Sequence, residues 1–388
     1  MSGEFVFEGW RRPDGRMGIR NHCVVVATVA CATGVVRSVG RRLPDVVAVE
    51  HAHGCGRGGP DLGLQIKTLA GLVQNPNVGA AVLVGLGCEI LSTALLKGAL
   101  GSSGKPLETV IIQDVGGSSK AADQAETVAR RLLGDLDKLP RDRGTAEDLV
   151  VGLECGGSDT FSGLTANPAV GKAADRLVGL GGTAILAEIT EMIGALGPLL
   201  KSAGSEEVAA KLRAKVERQE ARAREILGPL FEPGLAPGNV ESGLTTIAEK
   251  SLGCIAKGGS SPIREVVSYG DRPTKKGLVV MDTPGYDIES MAGMAAGGAQ
   301  AILFTTGRGT PAGFPAVPVI KISSNSELFE AMPDDIDIDA GTILAGKSAD
   351  DVGEQIMDLL LRVARGERTR AEINDQAVFG IAQEGPAF

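Results

Sequence analysis

The sequence is poor in aromatic side chains: Phe, Tyr and Trp make up 3% of its 388 residues, with one Trp in all. A core without rings must be filled by Val, Ile, Leu and Ala, and the 55 glycines then serve tight turns between elements. Runs of one charge are also missing. The formal charge is −9 with no long basic stretch, which argues against nucleic acid as a partner. No apolar run approaches the roughly 18–20 residues that span a bilayer. The opening Met1-Ser2-Gly3-Glu4 lacks the charged-then-apolar pattern of a secretory signal. A cytoplasmic protein without a membrane segment is expected. In that compartment Cys23, Cys31, Cys55, Cys88, Cys155 and Cys254 are not expected to form disulfides, and no two of them stand as Cys-x-x-Cys. No GxGxxG follows the first strand, where residues 28–34 read TVACATG. That counts against a purely nucleotide-binding, non-catalytic module.

What is present is a β–α rhythm. Apolar runs without alternation lie at 23–29, 45–50, 80–85 and 109–113. Helical patterns fall between and after them, at 34–42, 62–73 and 118–136. Strands that are apolar on both faces and separated by helices imply a parallel sheet covered on both sides. The polar stretch 139–147 interrupts the rhythm and predicts a domain boundary. Strand-like runs resume at 149–153, 183–187, 277–281, 301–305 and 317–322, with a helix at 169–178, a charged helix at 206–226 and a Pro/Gly-rich loop at 228–243. The expected architecture is α/β, with two doubly wound domains of mainly parallel sheet, residues 1–140 and 148–388.

Three cysteines follow strands: Cys55 in His51-Ala52-His53-Gly54-Cys55-Gly56, Cys88 in Gly85-Leu86-Gly87-Cys88-Glu89, and Cys155 in Glu154-Cys155-Gly156-Gly157-Ser158-Asp159. Cys254 stands in what reads as a fourth glycine-containing loop. Ligands in open parallel sheets bind beyond the carboxyl ends of strands, and thiolates suit iron–sulfur clusters, zinc and other soft metals. Cys55, Cys88, Cys155 and Cys254 are therefore candidate ligands; the plainer reading of each is a small buried hydrophobe. Cys23 and Cys31 take that plainer reading. His51 and His53 share a side of an extended segment and are candidates for ligation or acid–base work. Glu188 and Glu191 follow the strand at 183–187 and serve either as a general base or as first-turn helix acids. After the strand at 301–305, Thr306 and Arg308 offer a hydroxyl and a guanidinium fork to a carboxylate. Asn325 does the same at 323–327, where helix capping is the alternative.

At these loops the sequence resembles the altronate/galactarate dehydratase family. The matching stretches are 9–22 (GWRRPDGRMGIRNH), the HGCG loop, 75–89 (NPNVGAAVLVGLGCE), 152–167 (GLECGGSDTFSGLTAN), 243–253 (GLTTIAEKSLG) and 304–311 (FTTGRGTP). The resemblance implies a metal-dependent dehydration of an aldonic or aldaric acid to a 2-keto-3-deoxy acid. Its cofactor would be iron, as Fe2+ or a [4Fe–4S] cluster, with Mn2+ as the alternative. Single-chain relatives carry a further small N-terminal domain, so a separate small subunit in a homo- or hetero-oligomer is expected. The matched loops add Lys250 as a candidate base and Ser158 and Asn167 as substrate contacts. The resemblance extends to sulfolactate sulfo-lyase large subunits, which release sulfite rather than water.

Overall fold

The computed structural model describes residues 5–101, 103–228 and 237–385. Of the loop expected at 228–243, residues 229–236 lie outside the described part, and Pro237–Glu241 forms a short helix. The chain opens with β1 (Val6–Arg11) and β2 (Met17–Gly18), then β3 (His22–Ala27), β4 (Val46–Val49), β5 (Val78–Gly85) and β6 (Leu107–Ile111). The last four make a parallel sheet in the order β4-β3-β5-β6. All eight residues of β5 are buried, as a strand covered on both faces requires.

The polar stretch expected to be a boundary loop contains β7 (Asp142–Thr145), which pairs antiparallel with β1. Its side chains gave no strand signal because two of its four residues are exposed. The second parallel sheet follows: β8 (Val150–Cys155), β9 (Thr183–Leu186), β10 (Ile263–Val267), β11 (Gly277–Met281), β12 (Ala301–Thr306), β13 (Val319–Ser323) and β14 (Ile338–Asp339). Its order is β10-β11-β9-β8-β12-β13-β14. The fold is α/β with two parallel sheets flanked by helices, as the pattern of apolar runs predicts.

The two sheets share a core. One hydrophobic cluster runs from Val24, Val26 and Leu83 to Val279, Ile302 and Phe304. Between them, helix Gly59–Gln74 packs on helix Asp287–Ala296. The buried amides of Asn75 and Asn77 tie the sheets further. Asn75 Nδ2 donates to Ala295 O and Ala299 O, both at 2.8 Å, and Asn77 Nδ2 to Gln300 O and Ala316 O, both at 2.9 Å. At Gly71 a methyl group would stand 2.6 Å from Ala296 Cβ and 2.7 Å from its carbonyl oxygen. Gly71→Ala is therefore expected to cost about 1–3 kcal/mol by forcing the helices apart. A urea midpoint that falls at unchanged slope would show it; an unmoved midpoint would contradict the close approach.

Gly71 and Ala296 lie late in their helices. At the starts of the same helices, the segment 380–385 bridges them: Gly380 lies beside Ile288, and Asp61 Oδ1 accepts from Glu384 N at 2.6 Å. The helices thus run alongside one another in the same direction. Each begins at the carboxyl end of its sheet, so both sheets present the loops that follow their strands on one side of the molecule.

Candidate active site

In the larger sheet the chain winds outward in both directions from β8, so the crevice between β8 and β12 is where ligands of such sheets bind. Cys155 ends β8 and is buried. Cys254 belongs to helix Ile247–Ile255, not to a loop as its glycine neighbour suggested. The helix starts at Thr246, whose side chain accepts from Glu249 N. Lys250 and Cys254 are four residues apart and so share a helix face. On that face Cys254 Sγ lies 3.4 Å from Cys155 Sγ and donates to Glu191 Oε2 at 3.0 Å. Lys250 Nζ donates to the other oxygen, Glu191 Oε1, at 2.7 Å. The contact with Cys155, together with burial, holds the Cys254 thiol well above its ordinary pKa.

A second group lies directly beneath. Ligand atoms of Glu154, Glu188 and Asp287 fall within 4.8 Å of one another. Glu188 sits in the left-handed region at φ 66°, a conformation that costs a non-glycine residue energy and here turns its side chain inward. Its Oε2 accepts from Cys155 N at 2.9 Å and from Lys257 Nζ at 2.7 Å, and its N–H donates to Thr283 Oγ1. Glu154 Oε2 accepts from Ser290 Oγ at 2.7 Å. The remaining oxygens, Glu154 Oε1 and Glu188 Oε1, are buried without a partner. Burial and the Glu188 charge push the Glu154 carboxyl well above its usual range. The same two causes raise Asp287 to about 7. Burial works against the Lys257 charge, but Cys155 and Glu188 overcome it and keep the ammonium protonated. Lys250 is held protonated in the same way by Glu191. Sequence reasoning missed Glu154, Lys257 and Asp287. The signal available for Glu154 was a carboxylate inside an otherwise apolar strand.

Of the expected substrate contacts, Arg308 is the most available. It is half-exposed and, among the described residues, its side chain meets Ser242 Oγ at 3.2 Å and Glu241 Oε2 at 3.4 Å. Thr306 Oγ1 accepts from Gly309 N and shapes the turn that carries Arg308. Asn167 is held between Thr305 Oγ1 and Gly253 O. Asn325 caps helix Ser326–Ala331 and donates to Asp159 Oδ2, which also accepts from Ser324 Oγ. Ser158 is buried over Gly156 O.

The histidines are occupied. His51 Nε2 bonds Ala27 O at 2.7 Å while its Nδ1 accepts from His53 N at 3.2 Å. His53 Nε2 accepts from Ile381 N at 3.1 Å, and its Nδ1 contacts Gln383 Nε2. Both rings therefore pin the HGCG loop and the segment 379–385. Cys55 and Cys88 are exposed at the smaller sheet and belong to neither close group of ligand atoms found among the described residues. Cys31 is also exposed rather than buried, because it lies on the turn beyond β3 and not in the strand. A cavity of about 950 Å3 lies elsewhere, along edge strand β4, and is lined by His22, Arg37, Arg41 and Arg368 among others. It contains none of the grouped ligands.

Burial and then Arg20 push His22 down to about 4. A histidine depressed in the folded state stabilises fully above its unfolded pKa of about 6.5 and loses that contribution as pH falls through about 4. Unfolding free energy is thus expected to drop across this window, by roughly 3 kcal/mol from His22 alone. Urea titrations should show a shallower drop for His22→Gln; an identical slope would contradict the assignment.

Two family models cover almost all of the chain: the second domain of D-galactarate dehydratase/altronate hydrolase matches residues 9–137, and the C-terminal part of D-galactarate/altronate dehydratase matches 146–387. The chain belongs to the galactarate/altronate dehydratase family. The altronate dehydratase of Bacillus subtilis is 35% identical over 98% of this chain and 78% of its own length. The galactarate dehydratase (L-threo-forming) of Escherichia coli is 39% identical, over 94% of this chain and 73% of its own. The (2R)-sulfolactate sulfo-lyase subunit beta of Chromohalobacter salexigens is 34% identical over 94% of both chains. By family this dehydratase-like chain is a hydro-lyase. Among the described residues, no helix is long and apolar enough to cross a membrane.

Proposed function

We propose that the chain removes water from a polyhydroxy carboxylic acid of the altronate or galactarate kind, yielding a 2-keto-3-deoxy acid, with iron held by Cys155, Cys254 and Glu191. The observation that carries this reading is the convergence of two thiols and a carboxylate at the β8/β12 crevice. Two sulfurs and an oxygen suit a borderline-soft divalent ion such as Fe2+. The unpartnered oxygens of Glu154 and Glu188 form a harder, all-oxygen set suited to Mn2+, the alternative ion. A bound ion supplies Lewis acidity toward the oxygens of the substrate.

The chain's own groups do the rest. The Arg308 fork holds the substrate carboxylate. Asp287 stands at the start of its helix, half-buried beside Gly156, with a pKa matched to neutral pH. It takes the proton next to the carboxylate. Lys250, kept charged by Glu191, gives its proton to the departing β-hydroxyl, which leaves as water. The enol left behind tautomerises to the keto acid.

The relative named as a subunit beta supports a separate small subunit as partner, and supports sulfite elimination from sulfolactate as a second reading. The test is metal dependence. Chelated protein should be inactive and regain activity with ferrous ion, while Cys155→Ser and Cys254→Ser should lose both iron and turnover. Full iron and full activity in these variants would end the ligand assignment.

A further inference from the structure

We propose that Cys155 and Cys254 form a modification site: a peroxide oxidises the metal-free pair to a disulfide, which abolishes iron binding until a dithiol reduces it. The disulfide follows from the two sulfurs themselves, while its consequence for iron rests on the ligand set proposed for the same residues.

Of the six free cysteines, these two have their sulfurs in contact, 3.4 Å apart. A disulfide needs about 2.05 Å, so a closing of about 1.3 Å suffices, within reach of small rotations of the two side chains. Both ends are held in place. At the end of β8, Cys155 N donates to Glu188 Oε2 at 2.9 Å. Cys254 rides on helix Ile247–Ile255, which packs on the turn Ile189–Met192 that carries Glu191. The same helix lies against the backbone of Gly163 through Gly253. Sulfurs already in contact need no movement of either element.

The bond also suits its surroundings. Both cysteines are buried, and a disulfide carries no charge into that site. Cys254 gives up its hydrogen bond to Glu191 Oε2, but Lys250 Nζ stays on Glu191 Oε1 at 2.7 Å, so the carboxylate keeps its cation. Iron fares differently. Thiolates are the metal-binding form of cysteine, and a disulfide sulfur has lost that charge. Oxidation therefore removes two of the three grouped ligands and leaves Glu191. Glu191 and Lys250 are 11% and 16% exposed, so the pair lies one side chain below the crevice. Oxygens of a sugar acid must come as close as this, and a peroxide is the smaller molecule.

The chemistry balances in two steps. One sulfur attacks the peroxide: an S–O bond forms, the O–O bond breaks, and the departing hydroxide leaves as water with the proton of that thiol. The second sulfur then displaces the new hydroxyl. An S–S bond forms, and the hydroxyl leaves as water with the second proton. The two sulfurs lose two electrons in all, and hydrogen peroxide is reduced to two waters. A dithiol returns the two electrons and itself becomes a disulfide.

The test treats the full chain, freed of metal by a chelator, with hydrogen peroxide, blocks remaining thiols, and maps its peptides by mass. The peptides of Cys155 and Cys254 should be joined and lighter by two hydrogens. The urea midpoint should be higher for the oxidised chain than for the same chain reduced again, because the bond joins residues 99 apart in sequence. Ferrous ion should bind the reduced chain, fail to bind the oxidised one, and bind again after dithiothreitol. If both thiols stay free, or join other cysteines, while the reduced chain binds ferrous ion, the disulfide is overturned and the ligand set stands. Joined peptides with no ferrous binding in either state would uphold the disulfide and remove the ligand set. Joined peptides with ferrous binding intact would overturn the switch.

Discussion

Lys257→Met is expected to lower the stability of the folded chain by about 3–5 kcal/mol. Lys257 and Glu188 are 1% and 0% exposed and meet at 2.7 Å, so neither charge has access to water. The charge of the ammonium also acts on Glu154, which is fully buried and bonded through one side-chain oxygen only among the described residues. Methionine fills the same space but leaves the carboxylates facing one another without compensation. They must then take up protons or stay charged in a medium that solvates them poorly. Adding Glu188→Gln should restore part of the loss, because it removes the charge that Lys257 balanced. Urea unfolding of both single variants and the double variant measures this. A loss under about 1 kcal/mol in Lys257→Met would contradict the buried pair.

Asp287→Asn should cut kcat by about 10²–10⁴-fold with little change in KM, since it removes a proton acceptor and keeps the shape. Asp287 is the member of the buried carboxylate group that reaches the crevice, while Glu154 lies fully inside. Asparagine retains the hydrogen-bonding outline at the helix start, so binding through Arg308 is left intact. Steady-state rates of keto-acid formation decide it. A fall of less than tenfold would remove Asp287 from the proton transfer and return the role to Glu191 or Lys250.

The sheets were legible because their strands are apolar on both faces. β5, β11 and β12 appear almost where their Val, Ile and Ala runs lie. β7 was hidden because Asp-Arg-Gly-Thr has no hydrophobic signature, and its pairing with β1 joins residues far apart in sequence. Cys155 was legible from its place after a strand. The partner set was only partly so: Cys254 and Lys250 arrive on a helix some hundred residues later, and only the folded chain brings them onto Glu191. Lys257 and Asp287 gave no signal because a buried charge looks like any surface charge until its partners are known. Cys31 was misjudged in the opposite sense: free cysteines are usually small buried hydrophobes, but this one lies on the turn beyond β3 and is exposed.

The most direct measurement is anaerobic incubation of the chain, loaded with ferrous ion, with a panel of aldonic and aldaric acids and sulfolactate, reading keto-acid and sulfite release. A 2-keto-3-deoxy acid formed from a sugar acid, absent with Cys254→Ser, is the predicted result. No keto acid from any sugar acid, or sulfite release alone, would contradict a sugar-acid dehydratase.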